Sequence, residues 1–455
     1  MSVNSFENYP LTWKPRLKSD AKIPKYLELA SKLEEDILSG KLKSGTALPP
    51  QRELADYLDI NFTTVTRAYD ICREKGLIYG VVGRGTFVAS EPETRKGNVV
   101  ELGVVEAFPE VGVNEIIEAT KSVLSRGDAT RLFSYAEREG RPRAKEAALK
   151  WLKREGVSVS ADQVVIFPGT QSALSVILLS LFKPGDKLAV DEYTYSNFIK
   201  LSHLAHLKLV PIEGDKNGML PSELKAACEK ERLKGIYLMP NKANPTLITM
   251  PTSRREAIAE IVKRNELLVV EDSSAVFRDE LKEKSFFTIV PERTIHLSPA
   301  ARFIASGLRI AFVAFPKWSA ARLTSAFHHL AIKASTLDAE IMAELILSGG
   351  AERILKEKLA KLKAANKLFD KIFPDNKGFG FSRVVPFEGT SGRGPEIERA
   401  LSERGLRLCH SDRFAARSGK AKSFLRLSIS SIPDLKDLEA ALIDCRESLG
   451  EFKRI

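Results

Sequence analysis

The chain has 455 residues, of which 44% are hydrophobic, so it has room for more than one domain and a large apolar core. It contains no run of about eighteen apolar residues, no apolar leader and no cysteine or histidine spacing suited to zinc, so we expect a cytoplasmic protein without a membrane segment or a metal site. The net charge of +11 is compatible with an acidic partner but does not identify one.

Three short helices are predicted near the N-terminus. Apolar residues recur at three-to-four spacing after Pro24 and stop near Gly40, as on the buried side of an amphipathic helix. A second helix fits residues 51–58, and after a tight connector Asn61 can cap a third helix. Two short helices joined in this way are typical of a helix-turn-helix.

A β-hairpin is predicted directly after these helices. Strand-like runs at 77–82 and 86–89 flank Gly83-Arg84-Gly85, which permits a turn with an arginine at its tip. Basic and acidic side chains nearly balance over residues 22–90, which include the three helices and the hairpin. The placement of side chains in this segment, and not its bulk charge, therefore has to indicate what it binds.

The segments ALPPQRELADYL, TTVTRAY and GRGTFV occur in this order, and they make residues 22–90 resemble the winged helix of the GntR family, after an N-terminal extension at 1–21. The resemblance implies that double-stranded operator DNA is a partner. The residues expected to contact DNA are Arg52, Thr63, Thr64, Arg67, Arg84 and Gly85. Many relatives carry arginine where this chain has Phe62, so a guanine contact from that position is in doubt.

An alternation of strands and helices is predicted after a polar linker at 91–99. The strand-like runs lie at 164–167, 188–190, 208–211, 235–239, 267–271, 294–297 and 310–314. This alternation favours an α/β fold with a mainly parallel, helix-covered sheet, in which ligands bind at the carboxyl ends of the strands. Gly169-Thr170-Gln171 lies between a strand and a helix, where backbone N–H groups favour a phosphate.

Several motifs after residue 100 point to one family: FSYAEREGRP, PGTQSAL, DEYTY, PNKANP, VVEDSSA and FLRLS. They make residues 100–455 resemble the class I aminotransferase-like domain of MocR regulators, which have the fold of fold-type I pyridoxal phosphate (PLP) enzymes. The resemblance implies a large part at about 100–345, a small C-terminal part at about 346–455, and a homodimer. The predicted fold class is therefore α/β, with an N-terminal winged helix-turn-helix and a large fold-type I domain.

The resemblance implies contacts to a pyridine ring. Tyr195 would stack on the ring, Asn244 would hydrogen-bond its phenolic oxygen, and Asp272 would pair with a protonated ring nitrogen. Ala275 stands where the family has a tyrosine, so one hydrogen bond to the ring oxygen is lost.

The resemblance also implies contacts to anionic groups. Thr170, Gln171 and Arg309 would hold a phosphate. Arg426 would bind an amino-acid carboxylate by a two-pronged bond. Tyr135 would reach in from a partner subunit.

The segment TIHLSPAARFIASGLRIAF resembles the part of these enzymes that carries the cofactor lysine, but Arg302 occupies the position of the lysine. A guanidinium stays protonated and is a poor nucleophile, so it cannot form the Schiff base. Pro299 and Ala301 stand where the family has serines. PLP or pyridoxamine phosphate would therefore bind noncovalently at best, or be absent, and Arg302 could offer its charge to a phosphate or a carboxylate.

The preferred hypothesis is a GntR/MocR-type transcriptional regulator whose large domain dimerises and senses a small anionic or amino-acid-like effector without transamination. Two alternatives stay open. The chain could be an active PLP enzyme that uses a different lysine, for which Lys242 is the nearest candidate, or a regulator whose large domain only dimerises.

Overall fold

The computed structural model describes residues 11–17, 23–43, 45–74, 77–81, 85–88, 100–127, 129–135, 140–273, 277, 282–376, 378–417 and 422–452. The chain divides into two compact units, Met1–Val99 and Val100–Ile455. No helix in this described part is long and apolar enough to cross a membrane.

The first unit, here called the head, contains helices and a hairpin: α1 (Lys25–Leu38), α2 (Gln51–Leu58), α3 (Phe62–Glu74), β1 (Ile78–Val81) and β2 (Gly85–Val88). The two strands pair antiparallel. α2 ends at Asp59, which adopts a left-handed conformation with φ of 49°. This turn and the capping residue after it separate α2 from α3, as the predicted helix-turn-helix requires.

The core of the head includes a side chain from the segment that precedes α1. Trp13 is only 3% exposed, and its indole N–H donates to Asp36 Oδ2 at 2.9 Å. Burial opposes the charge of Asp36, but the hydrogen bonds from Trp13 and Lys41 hold the pKa of its carboxyl below the ordinary value. Residues 11–17 of the expected extension are therefore packed against the head.

The second unit is built of both strands and helices from its start to the end of its central sheet. These elements are β3 (Val100–Glu101), α4 (Val113–Leu124), α5 (Ala129–Leu132), α6 (Pro142–Arg154), β4 (Val164–Phe167), α7 (Thr170–Leu181), β5 (Lys187–Asp191), α8 (Ser196–Leu204), β6 (Lys208–Ile212), β7 (Gly214–Asp215), β8 (Gly218–Met219), α9 (Pro221–Lys230), β9 (Leu233–Leu238), α10 (Thr252–Arg264), β10 (Leu268–Asp272), α11 (Phe286–Ile289), β11 (Thr294–Ser298), α12 (Ala300–Ile304) and β12 (Ala311–Ala314).

Within the described residues, the central sheet has seven strands in the order β4-β12-β11-β10-β9-β5-β6. These are the seven predicted runs, and β12 alone among them runs in the direction opposite to the other six. Successive side chains of β4 enter different apolar clusters, Val164 and Ile166 on one face and Val165 and Phe167 on the other. Both faces are therefore covered, and the predicted α/β class is confirmed.

After the central sheet the chain continues through α13 (Ala320–Leu330), α14 (Thr336–Leu347), α15 (Gly350–Ile372), β13 (Ser382–Pro386), α16 (Gly394–Glu403), β14 (Leu406–Arg407), β15 (Cys409–His410), β16 (Phe424–Ser428) and α17 (Leu435–Phe452). Strand β16 lies between β13 and β15 in a small sheet. β14 pairs in parallel with β3, so the first residues of the unit lie beside its C-terminal part.

Candidate functional site

The start of α3 is held by a hydrogen-bonded cap. Asn61 Oδ1 accepts the backbone N–H and the hydroxyl of Thr63, both at 2.8 Å. The Asn61 carbonyl accepts the N–H of Thr64 at 2.9 Å. Thr63 is exposed and Thr64 is half-buried. The cap therefore presents polar groups at the helix end that enters the major groove in helix-turn-helix proteins.

Two exposed arginines of the head lie against aromatic rings. The guanidinium carbon of Arg67 lies 4.6 Å from the centre of the Tyr26 ring. That of Arg52 lies 5.8 Å from the centre of the Phe62 ring. A cation–π contact orients a guanidinium without neutralising it. Both arginines thus keep a positive charge at the surface.

The second strand of the hairpin in the head, β2, begins with a glycine. Gly85 has φ of 111°, in the left-handed region that favours glycine, and a Cβ atom there would meet no heavy atom within 4 Å. The backbone at this point is therefore open to close approach by another molecule. Arg84 lies outside the described residues, so its contact with DNA stays a prediction.

A cavity of about 660 Å³ opens at the carboxyl ends of the central strands. Its lining includes every predicted cofactor or carboxylate residue except Tyr135: Thr170, Gln171, Tyr195, Asn244, Asp272, Arg302, Arg309 and Arg426. The fold thus brings together residues that are up to 256 positions apart in the sequence, from Thr170 to Arg426.

One end of the cavity is formed by the N-terminus of α7. Thr170 and Gln171 open this helix, so their backbone N–H groups have no partner within it. The Arg309 side chain lies over Gly169, since a Cβ atom on that glycine would come within 2.7 Å of Arg309 Nη2. A helix N-terminus beside a guanidinium attracts an anion.

The middle of the cavity carries the predicted ring contacts. Asp272 is 4% exposed and accepts a hydrogen bond from the Tyr237 hydroxyl at 2.9 Å. Burial raises the pKa of the Asp272 carboxyl, and that hydrogen bond opposes the rise. Tyr195 lies at the start of α8, where its hydroxyl accepts the Asn197 amide at 3.2 Å. A cationic ring nitrogen would supply the positive charge that favours a buried carboxylate.

Arg426 is buried, and no carboxylate pairs with it in the described chain. Its Nη1 donates to Asn244 Oδ1 at 2.9 Å, its Nη2 donates to the Gly103 carbonyl, and its guanidinium carbon lies 5.0 Å from the centre of the Phe414 ring. Its Nε has no hydrogen-bond partner there. Burial lowers the pKa of the Arg426 guanidinium, so a ligand carboxylate would stabilise this charge.

Arg302 lies in α12 and lines the same cavity. Burial raises the pKa of Asp272 and lowers the pKa of Arg426. The positive charge of Arg302 acts to lower both pKa values. Its guanidinium forms no hydrogen bond or ion pair within the described ranges, and its guanidinium carbon lies 5.5 Å from the centre of the Phe303 ring. Arg302 thus adds to the cavity a positive charge that has no direct ion-pair partner among the described residues.

Lys242 and Tyr135, two candidates from the sequence, do not line this cavity. Lys242 lines a separate cavity of about 350 Å³ together with Lys363 and Phe379. No lysine is among the described residues that line the larger cavity. Tyr135 is 76% exposed and does not reach the cavity of its own chain.

The sequence reasoning missed several residues of the cavity. Arg413 lines it and is held by Glu398, whose carboxylate oxygens accept from Arg413 Nε at 2.6 Å. Ser306 donates to Glu106 Oε1 at 2.6 Å. These residues belong to loops and short elements without a recognisable motif, so only the fold reveals them.

Comparison with known proteins accounts for both units. The model for bacterial regulatory proteins of the gntR family matches residues 25–88, and that for aminotransferases of class I and II matches residues 105–442. The "Uncharacterized HTH-type transcriptional regulator YdeF" of Bacillus subtilis is 33% identical over 465 residues, which cover 99% of this chain and 100% of that protein. The "Probable rhizopine catabolism regulatory protein MocR" of Rhizobium meliloti is 26% identical over 66% of this chain and 67% of its own. The chain belongs to the GntR/MocR-type transcriptional regulators.

The second unit of this MocR-type regulator has the fold of solved aminotransferases. LysN, an alpha-aminoadipate aminotransferase of Thermus thermophilus solved with N-(5'-phosphopyridoxyl)-L-leucine, superimposes with a TM-score of 0.69. The match covers 84% of this chain and 97% of LysN at 20% identity, so it shows the fold alone. This fold implies PLP binding in the aminotransferase family.

Proposed function

We propose that this MocR-type regulator binds operator DNA through its head and senses a small anionic ligand in its large cavity without transamination. The observation that carries the proposal is a set of three guanidiniums, those of Arg302, Arg309 and Arg426, which line one cavity and have no carboxylate partner in the described chain. A ligand can switch such a regulator only by binding one of its states more tightly than the other.

The residues present fit the phosphate and the ring of PLP. Thr170 and Arg309 would hold the phosphate, and Asp272 would hold the ring nitrogen. When bound in an aminotransferase, PLP supplies an electron sink for carbanion chemistry. Arg302 supports noncovalent binding here, because it stands in place of the amine that would bond to the cofactor.

The favoured ligand carries two anionic groups. The N-terminus of α7 suits a phosphate, and Arg426, with its unpartnered Nε, suits a carboxylate. A compound that joins a phosphopyridoxyl group to an amino acid has both charges. An unrelated metabolite with two anionic ends is the alternative within the same class.

A homodimer is part of the proposal. Phe133 and Tyr135 are 71% and 76% exposed, which is unusual for two neighbouring large side chains with apolar surface. A second copy would cover them, and Tyr135 would then reach the partner's cavity. Native mass spectrometry of the full chain tests this assembly, and a monomer mass would contradict it.

Calorimetry on the full-length protein tests the sensor. We expect N-(5'-phosphopyridoxyl)-L-leucine to bind, and Arg426→Gln to weaken binding about tenfold or more, because a charge-assisted pair is lost. Arg407→Gln is the matched control, since Arg407 is exposed and lies outside the cavity lining. If this compound, PLP and pyridoxamine phosphate all fail to bind while operator DNA still binds, the phosphopyridoxyl ligand is ruled out. If metabolites with two anionic ends then also fail to bind, the large domain only dimerises.

A working PLP enzyme is the weaker candidate, because Lys242 lines a different cavity from Asn244. Borohydride reduction in the presence of PLP, followed by peptide mass spectrometry, separates the two. A stable adduct on Lys242 would favour the enzyme, whereas the sensor proposal expects none.

A further inference from the structure

An exposed aromatic side chain stands at the first position of α3. Phe62 opens this helix and is 42% exposed. The apolar residues that the same helix contributes to the core of the head are fully buried: Val65, Ala68, Tyr69 and Cys72. Phe62 therefore belongs to the surface of the head and not to its core.

The Phe62 side chain makes few contacts with the other described residues of the head. It is not among the described residues that form or pack against the apolar core of the head. Its one ring contact there is with the guanidinium of Arg52, which is itself exposed. Such an exposed cation–π contact is weak, so a polar residue at position 62 would leave the head nearly as stable.

The direction of the Phe62 side chain indicates what it could contact. In an α-helix the Cα–Cβ bonds tilt toward the N-terminus, so the first side chain projects past the helix end. In a helix-turn-helix that end faces the base edges in the major groove. Thymine is the base that presents an apolar group there, its C5-methyl, and phenylalanine is one of the side chains that contact it.

We propose that Phe62 is a specificity-determining residue that reads the C5-methyl group of a thymine in the operator. The inference rests on the proposed contact of α3 with DNA. Arg52, positioned over the ring, orients Phe62 and leaves its own charge for a nearby phosphate.

Replacement of thymine by deoxyuridine tests this contact, because it removes only the methyl group. A duplex is first selected from a random library by the full-length protein, and each thymine is then replaced in turn. Affinity is measured by fluorescence anisotropy at one fixed salt concentration. We expect one replacement to weaken wild-type binding about fourfold, the effect of losing one buried methyl group.

Variants assign that methyl group to Phe62. In Phe62→Ala the same deoxyuridine replacement should leave the affinity unchanged, and Phe62→Leu should retain part of the effect. Leu27→Ala is the matched control, since Leu27 is 38% exposed on α1, and it should keep the full fourfold effect. Circular dichroism checks that each variant is folded.

Three results would overturn the inference. If every thymine tolerates deoxyuridine with the wild-type protein, no methyl group is read. If the penalty persists in Phe62→Ala, another residue reads it, although the contact of α3 with DNA would stand. If the full-length protein selects no duplex at all, the proposed DNA contact fails and this inference with it.

Discussion

At the residue scale, the proposed function depends on Arg302 standing where an enzyme with a covalently held cofactor would have its lysine. In Arg302→Lys, PLP should form an adduct at position 302 that borohydride reduction makes stable. Asp272 and the phosphate-binding end of the cavity are in place, and the nearby arginines lower the pKa of a lysine amine. Peptide mass spectrometry after reduction measures the adduct.

Arg302→Gln is the matched control for this substitution, because it removes the charge without adding an amine. It should give no adduct. If Arg302→Lys also gives none, residue 302 does not occupy the position of the cofactor lysine.

A second residue-scale feature is a buried histidine between two carboxylates. His296 Nε2 lies 2.8 Å from Glu155 Oε2, and His296 Nδ1 lies 2.8 Å from Glu271 Oε2. Burial opposes the charge of His296, but the two carboxylates outweigh it and raise its pKa from 6.5 to about 10. The stability gained from this charge is present below pH 6.5 and is lost as the pH rises through about 10.

His296→Gln should therefore lower the free energy of unfolding by about 3–5 kcal/mol at neutral pH, since it leaves buried carboxylates without their partner. The difference from wild type should narrow as the pH approaches about 10. Urea denaturation at several pH values, followed by tryptophan fluorescence, measures it. His329→Gln, at an exposed position, is the control, and a pH-independent difference would show that the charge of His296 is not responsible.

At the scale of elements, the turn between β4 and α7 forms the anion-binding end of the cavity. Gly169→Ala would place a Cβ atom 2.7 Å from Arg309 Nη2 and displace that guanidinium. We expect binding of N-(5'-phosphopyridoxyl)-L-leucine to weaken about tenfold, the effect of losing a charge-assisted contact to phosphate. Calorimetry measures the change.

The control for this turn is another glycine of the same unit. Gly185 also has a positive φ, of 89°, but a Cβ atom there would meet open space. Gly185→Ala should carry the same kind of backbone strain and leave ligand binding intact. Equal losses in both variants would assign the effect to backbone strain and not to Arg309.

At the scale of the whole molecule, a sensor requires coupling between its two binding sites. Saturating N-(5'-phosphopyridoxyl)-L-leucine should change operator affinity by about 5- to 150-fold, and operator DNA should change ligand affinity by the same factor. Anisotropy titrations with and without the ligand measure both. Arg426→Gln should need about tenfold more ligand for the same change in operator affinity. If operator affinity does not change when the ligand is bound, the sensor is ruled out.

The sequence by itself determined the elements of both units. The central strands formed at the seven predicted runs because each run combines β-branched or apolar residues with flanking turn residues, and α2 spans the predicted 51–58. Asn61 caps α3 as predicted, since a side-chain cap depends on neighbours only two or three positions away. Such features are local and can be read from a short window.

Only the tertiary structure decided which distant residues meet. Trp13 enters the core of the head, and Arg413 joins the large cavity, although no motif marks either residue. Lys242, close to Asn244 in sequence, faces another cavity. The hydrogen bonds of Arg426 likewise join it to Gly103 and Asn244, which are remote in the sequence. Side-chain burial and electrostatic partners arise from packing between elements, and short-range sequence patterns carry little information about that packing.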